Sequence, residues 1–455
     1  MEALKVSYSG VRGIVGGSLT RQTAWRYGVS FGRLVASRDS EGTILLARDT
    51  RPSGLWLREA LLMGLAPFGF DLLDLGVVPT PTVQFFMEPT RAAGAVMITA
   101  SHNPEPWNGF KFMLGPERTV LDSLQTEALI RGVRRTEDPP EQFVAPAVED
   151  RHEQAVRAHL DRVLAQVDAT GIRQVGFRVA VDSAGGAGTE PTLRLLDELG
   201  CRVFPVQTRR DSEPLPENLS ALCATVREHS CDLGVAQDLD ADRLALVSEK
   251  AEPLGDEFTL VLAVDHLLGR FSGREVAVVR NVATTRALDA VVARHGARIV
   301  ETRVGEVNLS RALARERANG LVAFGGEGNG GVILPQVAMG RDSLTGIALV
   351  LEVLTRRRRP ISEVVAALPD LPMAKLKIPL EDECSLEQRY ARVRALFPQA
   401  VADRPDGLRL TFEDGGWVLV RPSNTEPVAR VVVQSRDAGW VEDTLGRVLQ
   451  ALGTG

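Results

Sequence analysis

Asp238, Asp240 and Asp242 alternate in the segment LGVAQDLDADRLALV (233 to 247), between two apolar runs. Carboxylates grouped this closely repel one another unless a divalent cation sits among them, and their hard oxygens favour Mg2+ with positions open for a phosphate. An EF-hand competes, because Glu249 stands twelfth from Asp238, but Arg243 occupies the place where that loop needs glycine. The flanking runs are also strand-like, which is wrong for a helix-loop-helix. A second group lies in TASHNPEPWNGFKF (99 to 112). It follows the apolar run AGAVMI, so the Ser101 hydroxyl is expected at the C-terminal end of a strand, where ligand chemistry in open α/β sheets gathers. Lys111, one of five lysines in the chain, falls ten residues after Ser101, where a loop brings both to one ligand. The nucleophile-elbow pattern G-x-S-x-G is missing here, which argues against a serine hydrolase.

Two further loops carry polar groups. FGGEGNGGVI (324 to 333) combines glycines that permit close backbone approach with the acceptor Glu327 and the amide of Asn329, the combination a polyhydroxyl ligand needs. It is neither a Walker A loop nor a G-x-G-x-x-G fingerprint. In VRPSNTEPVARV (420 to 431), Arg421, Ser423, Asn424 and Thr425 cluster between Pro422 and Pro427. Guanidinium, hydroxyls and turn amides together make a cradle for a dianionic phosphate. GGAG at 185 to 188 lacks the third glycine spacing of a dinucleotide loop.

The elements that must position these loops are legible in outline. Strand-like runs alternate with helix-like segments: GTILLARD, a helix from about Ser53 to Phe68, FDLLDLG, then AGAVMITAS. The order recurs at FRVAVDSAGGAG, a helix from Glu190 to Leu199, CRVFPV and CDLGVAQD, and again at EVAVVRNVATTRAL, a helix to His295, ARIVETRVG and GLVAFGGEG. The Pro-rich, acidic stretch at 138 to 150, AEPLGDEF at 251 to 258 and ALPDLPM at 367 to 373 mark boundaries, predicting domains 1–148, 149–252, 253–368 and 369–455. The last segment alternates like antiparallel strands, with a closing helix from about Val441 to Leu452, as in a small α+β unit. The basic run Arg356 to Arg359 ends a helical pattern and complements its macrodipole.

Composition bounds the partners. The chain has 455 residues, 44% hydrophobic and 25% charged, with 53 Lys plus Arg against 59 Asp plus Glu. A net charge of -6 excludes a nucleic-acid binder held by phosphate neutralisation. No apolar run approaches the ~20 residues of a membrane span, and the start MEALKVSYSGVRG has no signal-peptide pattern, so a cytoplasmic location is expected. Four scattered cysteines without a CxxC pair, Cys384 among them, fit reduced thiols.

Taken together, TASHNP with its lysine, D-x-D-x-D-R, GE-x-x-GG and RPSNTEP, in this order, resemble the α-D-phosphohexomutase superfamily over the whole chain. The resemblance implies four domains around one cleft, the first three related mixed-sheet α/β units and the last a smaller α+β unit. It implies that Ser101 carries the phosphoryl group and joins Asp238, Asp240 and Asp242 in holding Mg2+. Arg12 in SGVRG, His102, Lys111 and Arg243 become catalytic candidates, Glu327 and Asn329 sugar contacts, and Arg421, Ser423, Asn424 and Thr425 the site of the non-reacting phosphate. The implied reaction interconverts hexose 6-phosphate and hexose 1-phosphate through a hexose 1,6-bisphosphate, in a monomer or homodimer. The sugar loop departs from the common GEMSGH: Asn329 replaces the serine and Gly331 the histidine, and Leu239 stands where glycine is frequent. With SGVRGIVG and DLDADRLALV, GEGNGG looks more like a bacterial and archaeal subgroup of phosphoglucosamine mutases, with phosphomannomutase/phosphoglucomutase as the alternative.

Overall fold

The run TILLAR forms a strand, Thr43–Arg48, buried along its middle because helices cover both faces of its sheet, which is why it reads as a continuous apolar run. In the computed structural model, which describes residues 4–7, 10–38, 42–138, 146–207, 210, 213–369, 371–380, 385–423 and 428–453, this strand lies at the centre of the first unit. It runs parallel to Asp71–Val77 and Gly94–Ile98, and Trp107–Leu114 returns antiparallel beside the latter. In the second unit, Arg178–Asp182 is flanked in parallel by Arg202–Pro205 and Leu233–Gln237, with Leu244–Val247 returning antiparallel. The third repeats this: Val276–Asn281 lies parallel to Arg298–Thr302 and Val322–Glu327, and Gly331–Ile333 returns.

One feature of chain direction therefore recurs three times. A parallel strand ends, a loop follows, and the chain comes back antiparallel, the loops being 99–106, 238–243 and 328–330. The serine, acidic and glycine-rich motifs occupy these equivalent loops, each at the carboxyl end of a parallel strand. Glu149–Asp150 pairs with Leu73–Asp74, which carries the first sheet two residues past 148. The fourth unit is an antiparallel sheet of five strands, in which Trp417–Pro422 pairs with Val428–Gln434 and carries Arg421. Helices Leu386–Leu396 and Ala438–Leu452 cover one face, and Trp417, Leu419 and Val432 on the other pack against Val282 of the third unit.

Helix bounds follow local chemistry. The helix expected to reach Phe68 runs Gly54–Leu65 and finishes in a 3-10 turn, Ala66–Phe68, since Pro67 has no N–H to continue the α pattern. The basic run closes the helix Ser343–Arg357, with Arg358 in the left-handed conformation beyond it. That helix is buried nearly all round and packs against helices of the second and third units. No helix among the described residues is long and apolar enough to cross a membrane.

Within that helix, buried Glu352 accepts from His266 Nε2 at 2.7 Å and from Arg356 Nη2 at 2.9 Å. Burial alone would raise its carboxyl, but these hydrogen bonds reverse the effect and hold it at about 2, against an ordinary 4.5. A carboxyl depressed on folding stabilises the fold above its unfolded pKa and loses that contribution as pH falls through the folded value. Glu352→Gln is expected to cost about 2 kcal/mol at neutral pH. Urea denaturation should also show a flatter loss of stability for the variant between pH 4.5 and about 2.

Candidate active site

Ser101 holds a backbone φ of 51°, in the left-handed region that a non-glycine residue enters at a cost of roughly 1 kcal/mol. Its neighbours fix it there. Thr99 Oγ1 accepts from Ser101 N at 2.8 Å and donates to Asp49 Oδ2 at 2.7 Å, while Arg51 Nη2 donates to the Ser101 carbonyl at 2.9 Å. Asp49 and Arg51 follow the strand Thr43–Arg48 in the run RDTRPS and pair with each other in full burial. Sequence reading does not single them out, although an ionic pair at the carboxyl end of a central strand is a usable signal. Ser101 Oγ donates to Asp238 Oδ2 at 3.0 Å, and His102 Nδ1 lies 3.3 Å from Ser101 Oγ.

Asp238, Asp240 and Asp242 are buried, and one carboxylate oxygen from each lies within 4.8 Å of the other two. Lys111 Nζ, from the returning strand Trp107–Leu114, donates to Asp240 Oδ2 at 2.5 Å and Asp242 Oδ2 at 3.0 Å. Thr80 Oγ1 adds a bond to Asp240 Oδ2 at 2.7 Å. Asp240 Oδ1 and Asp242 Oδ1 are buried with no hydrogen-bond donor. Burial, and then the charges of Asp242 and Asp240, push the Asp238 carboxyl up to about 8. Arg341, Lys111 and Arg243 outweigh burial at Asp242 and hold it below the usual carboxylate range. Orphaned oxygens among converging carboxylates, one of them destabilised by its neighbours, fit a hard divalent cation such as Mg2+.

The surrounding cations set the proton chemistry. Burial acts against the Lys111 ammonium, but Asp240 and Asp242 push its pKa above the ordinary value, so it is a fixed positive charge. His102 is driven the other way, first by burial and then by Arg243 and Arg12, and is neutral at physiological pH. Arg12 stands on the strand Gly10–Ile14 and donates to Asn103 Oδ1. Burial lowers its pKa to about 10, which leaves it charged. Arg243 Nη1 donates to Glu213 Oε1 at 2.6 Å, and its backbone N–H to Asp238 Oδ1 at 3.2 Å.

Glu327 ends the strand Val322–Glu327 and accepts from Asn281 Nδ2 at 2.9 Å and Asn329 Nδ2 at 3.2 Å. Asn329 Oδ1 is buried without a donor. Gly330 has φ +82°, and a Cβ there would sit 2.0 Å from the Leu244 carbonyl, so only glycine lets the glycine-rich loop press against the strand that follows the acidic loop. Across the cleft, Arg421 Nε donates to Asp406 Oδ2 at 2.8 Å, while its Nη2 is buried without an acceptor, the state of a guanidinium built to take an anion. Arg430 lies opposite Arg421 on the paired strand.

Arg12, Ser101, His102, Lys111, Arg243, Glu327, Asn329, Arg421 and Ser423 line a single cavity, beneath which the three aspartates are buried. Arg341, Glu306 and Arg430 line it too, and were not foreseen from the sequence. Asn424 and Thr425 lie outside the described residues. In this arrangement a hydroxyl, a neutral imidazole and a guanidinium with a free Nη2 face one space, above a carboxylate cluster that fits a cation. It can hold a phosphorylated ligand and move a phosphoryl group.

Family models match along the chain: residues 3–137 match phosphoglucomutase/phosphomannomutase alpha/beta/alpha domain I, 157–252 domain II, 255–371 domain III and 376–451 the C-terminal domain. A phosphoglucomutase/phosphomannomutase of Thermococcus kodakarensis is 34% identical over 94% of this chain and 93% of its own length. A phosphoglucosamine mutase of Corynebacterium jeikeium is 32% identical over 96% and 97%. The crystal structure of a phosphoglucomutase/phosphomannomutase family protein from Burkholderia thailandensis superposes with a TM-score of 0.81 over 99% of this chain and 97% of that one, at 26% identity.

Proposed function

This chain belongs to the phosphoglucomutase/phosphomannomutase family of intramolecular phosphotransferases, and from that premise we propose that it converts glucosamine 6-phosphate to glucosamine 1-phosphate through a phosphoserine at Ser101 and a hexose 1,6-bisphosphate. The observation that carries the reading is the Ser101 hydroxyl, 3.0 Å from Asp238 and sharing a cavity with Arg421, whose Nη2 is buried without an acceptor.

The bond from phosphorus to Ser101 Oγ breaks as another forms to the free sugar hydroxyl, and in the balance of the step the hydroxyl's proton ends on Ser101 Oγ; the return transfer runs the same exchange in reverse at the other end of the sugar. His102, neutral and 3.3 Å from Ser101 Oγ, exchanges the proton at that oxygen. Lys111 and Arg12 face the transferring group as fixed positive charges, and preorganised charge is the main contribution available to phosphoryl transfer. Asp238, Asp240, Asp242 and a phosphoserine oxygen would hold Mg2+, which when bound supplies charge neutralisation on that group. Arg421 with Ser423 grips the phosphate that is not reacting, so binding energy remote from the chemistry positions either end of the sugar. Glu327 and Asn329 fix the ring through its hydroxyls.

The amino-sugar choice follows from GEGNGG and is supported by the 32% identical phosphoglucosamine mutase, while the 34% identical Thermococcus relative favours glucose and mannose phosphates. The test is kcat/KM for glucosamine, glucose and mannose phosphates with Mg2+ and catalytic hexose 1,6-bisphosphate. A preference for glucosamine 6-phosphate of ~100-fold, about 2.7 kcal/mol, is expected. Equal or better rates with glucose or mannose phosphates would overturn the amino-sugar assignment, and release of inorganic phosphate would mark a phosphatase.

A further inference from the structure

We propose that Arg341 is a positioning residue that ties the acidic loop to the sugar loop through one buried guanidinium. Its Nη2 donates to Asp242 Oδ2 at 2.6 Å and its Nη1 to Glu327 Oε2 at 2.5 Å. Its Nε reaches Glu306 Oε2 at 3.2 Å, at the start of the helix Glu306–Ala318. The three acceptors come from three different elements, and the Arg341 side chain is 10% exposed. A planar fork offers each of the three carboxylates its own nitrogen, with N–H groups in fixed directions, whereas a lysine ammonium gathers its three donors on a single atom.

The glycines of the sugar loop fit this role. A Cβ at Gly331 would meet Arg341 Cδ at 2.2 Å and Cγ at 2.7 Å. The clash is with the stem of the arginine and not its tip, so a side chain at 331 would move the whole fork. Glycine at 331 is thus what leaves room for the Arg341 stem. The fork also decides which oxygens stay available. Lys111 and Arg341 both bind Asp242 Oδ2, leaving Oδ1 as the oxygen without a donor. Arg341 and Asn329 share Glu327 Oε2, while Asn281 takes Oε1.

The test uses the full-length protein with Arg341→Lys and Gly331→Ala. The second variant displaces the fork and changes no charge. Two quantities are read: the dissociation constant of Mn2+ alone by electron paramagnetic resonance, with no sugar present, and the sugar-phosphate KM separately from kcat. Melting temperature shows whether each variant is folded. Arg341→Lys is expected to weaken Mn2+ and raise KM by ~10-fold each, the factor that goes with one charge-assisted hydrogen bond. Gly331→Ala is expected to shift both in the same direction, at a lowered melting temperature but with a cooperative transition that shows it folded. Values for both quantities within twofold of the parent, or a change in only one of them, would overturn the link, and if Arg341→Lys fails to fold Gly331→Ala decides. The KM arm rests on the mutase reading and the Mn2+ arm does not, so a parent without mutase turnover would defeat that reading and leave this inference standing on the metal measurement.

Discussion

Replacing Ser101 by alanine is expected to lower mutase turnover by about 10,000-fold or more, roughly 5.5 kcal/mol of transition-state stabilisation, while sugar-phosphate binding survives. The loss follows from removing the only atom on which the proposed phosphoryl group can rest between the two transfers. Binding survives because Arg421, Glu327 and Asn329 are untouched and lie on other elements. Stability should also be little changed: alanine meets the same left-handed backbone at φ 51° that serine does, and the bond from Ser101 N to Thr99 Oγ1 is independent of the side chain. Labelled hexose 1,6-bisphosphate gives a second readout. The parent should retain one labelled phosphate per chain and the variant none. Turnover at the parent's rate would remove Ser101 from the reaction and overturn the phosphoserine assignment.

What the sequence revealed, and what it did not, divides along a physical line. The three loops and their strands were readable because each needs only local information: an apolar run buried on both faces, then polar residues where the chain turns back. The charge state of His102 was not, because Arg12 and Arg243, two of the cations that keep it neutral, come from units more than a hundred residues apart. Asp49 and Arg51 escaped for a related reason. They grip the serine loop from a neighbouring strand and carry no motif of their own. The glycines of GEGNGG announced a close approach without saying by what, and only the folded chain identifies the Leu244 carbonyl against Gly330 and the Arg341 stem against Gly331.

Asp238→Asn separates a metal ligand from a structural carboxylate with a second large effect. With its oxygen in the place of Asp238 Oδ1, an asparagine still accepts from Arg243 N, and its Nδ2 in the place of Oδ2 donates to Ser101 Oγ, so both local contacts persist. The carboxyl it replaces is already pushed up to about 8 by burial and by Asp242 and Asp240, so at neutral pH the amide copies the form the cation-free fold prefers. A carboxyl raised on folding makes that fold lose stability as pH climbs from 3.8 toward 8, and the variant should lack this slope. Without divalent cation its melting temperature at pH 7 is therefore expected to match or exceed the parent's. With Mg2+ the two should part. At a hundred times its dissociation constant a bound cation adds about 2.7 kcal/mol to the parent, several degrees by calorimetry, and should add little to the variant, whose turnover falls by about 1,000-fold. A variant that keeps the parent's response to Mg2+ would show that Asp238 does not hold the cation and that the cluster is an acidic network neutralised by Lys111 and Arg341.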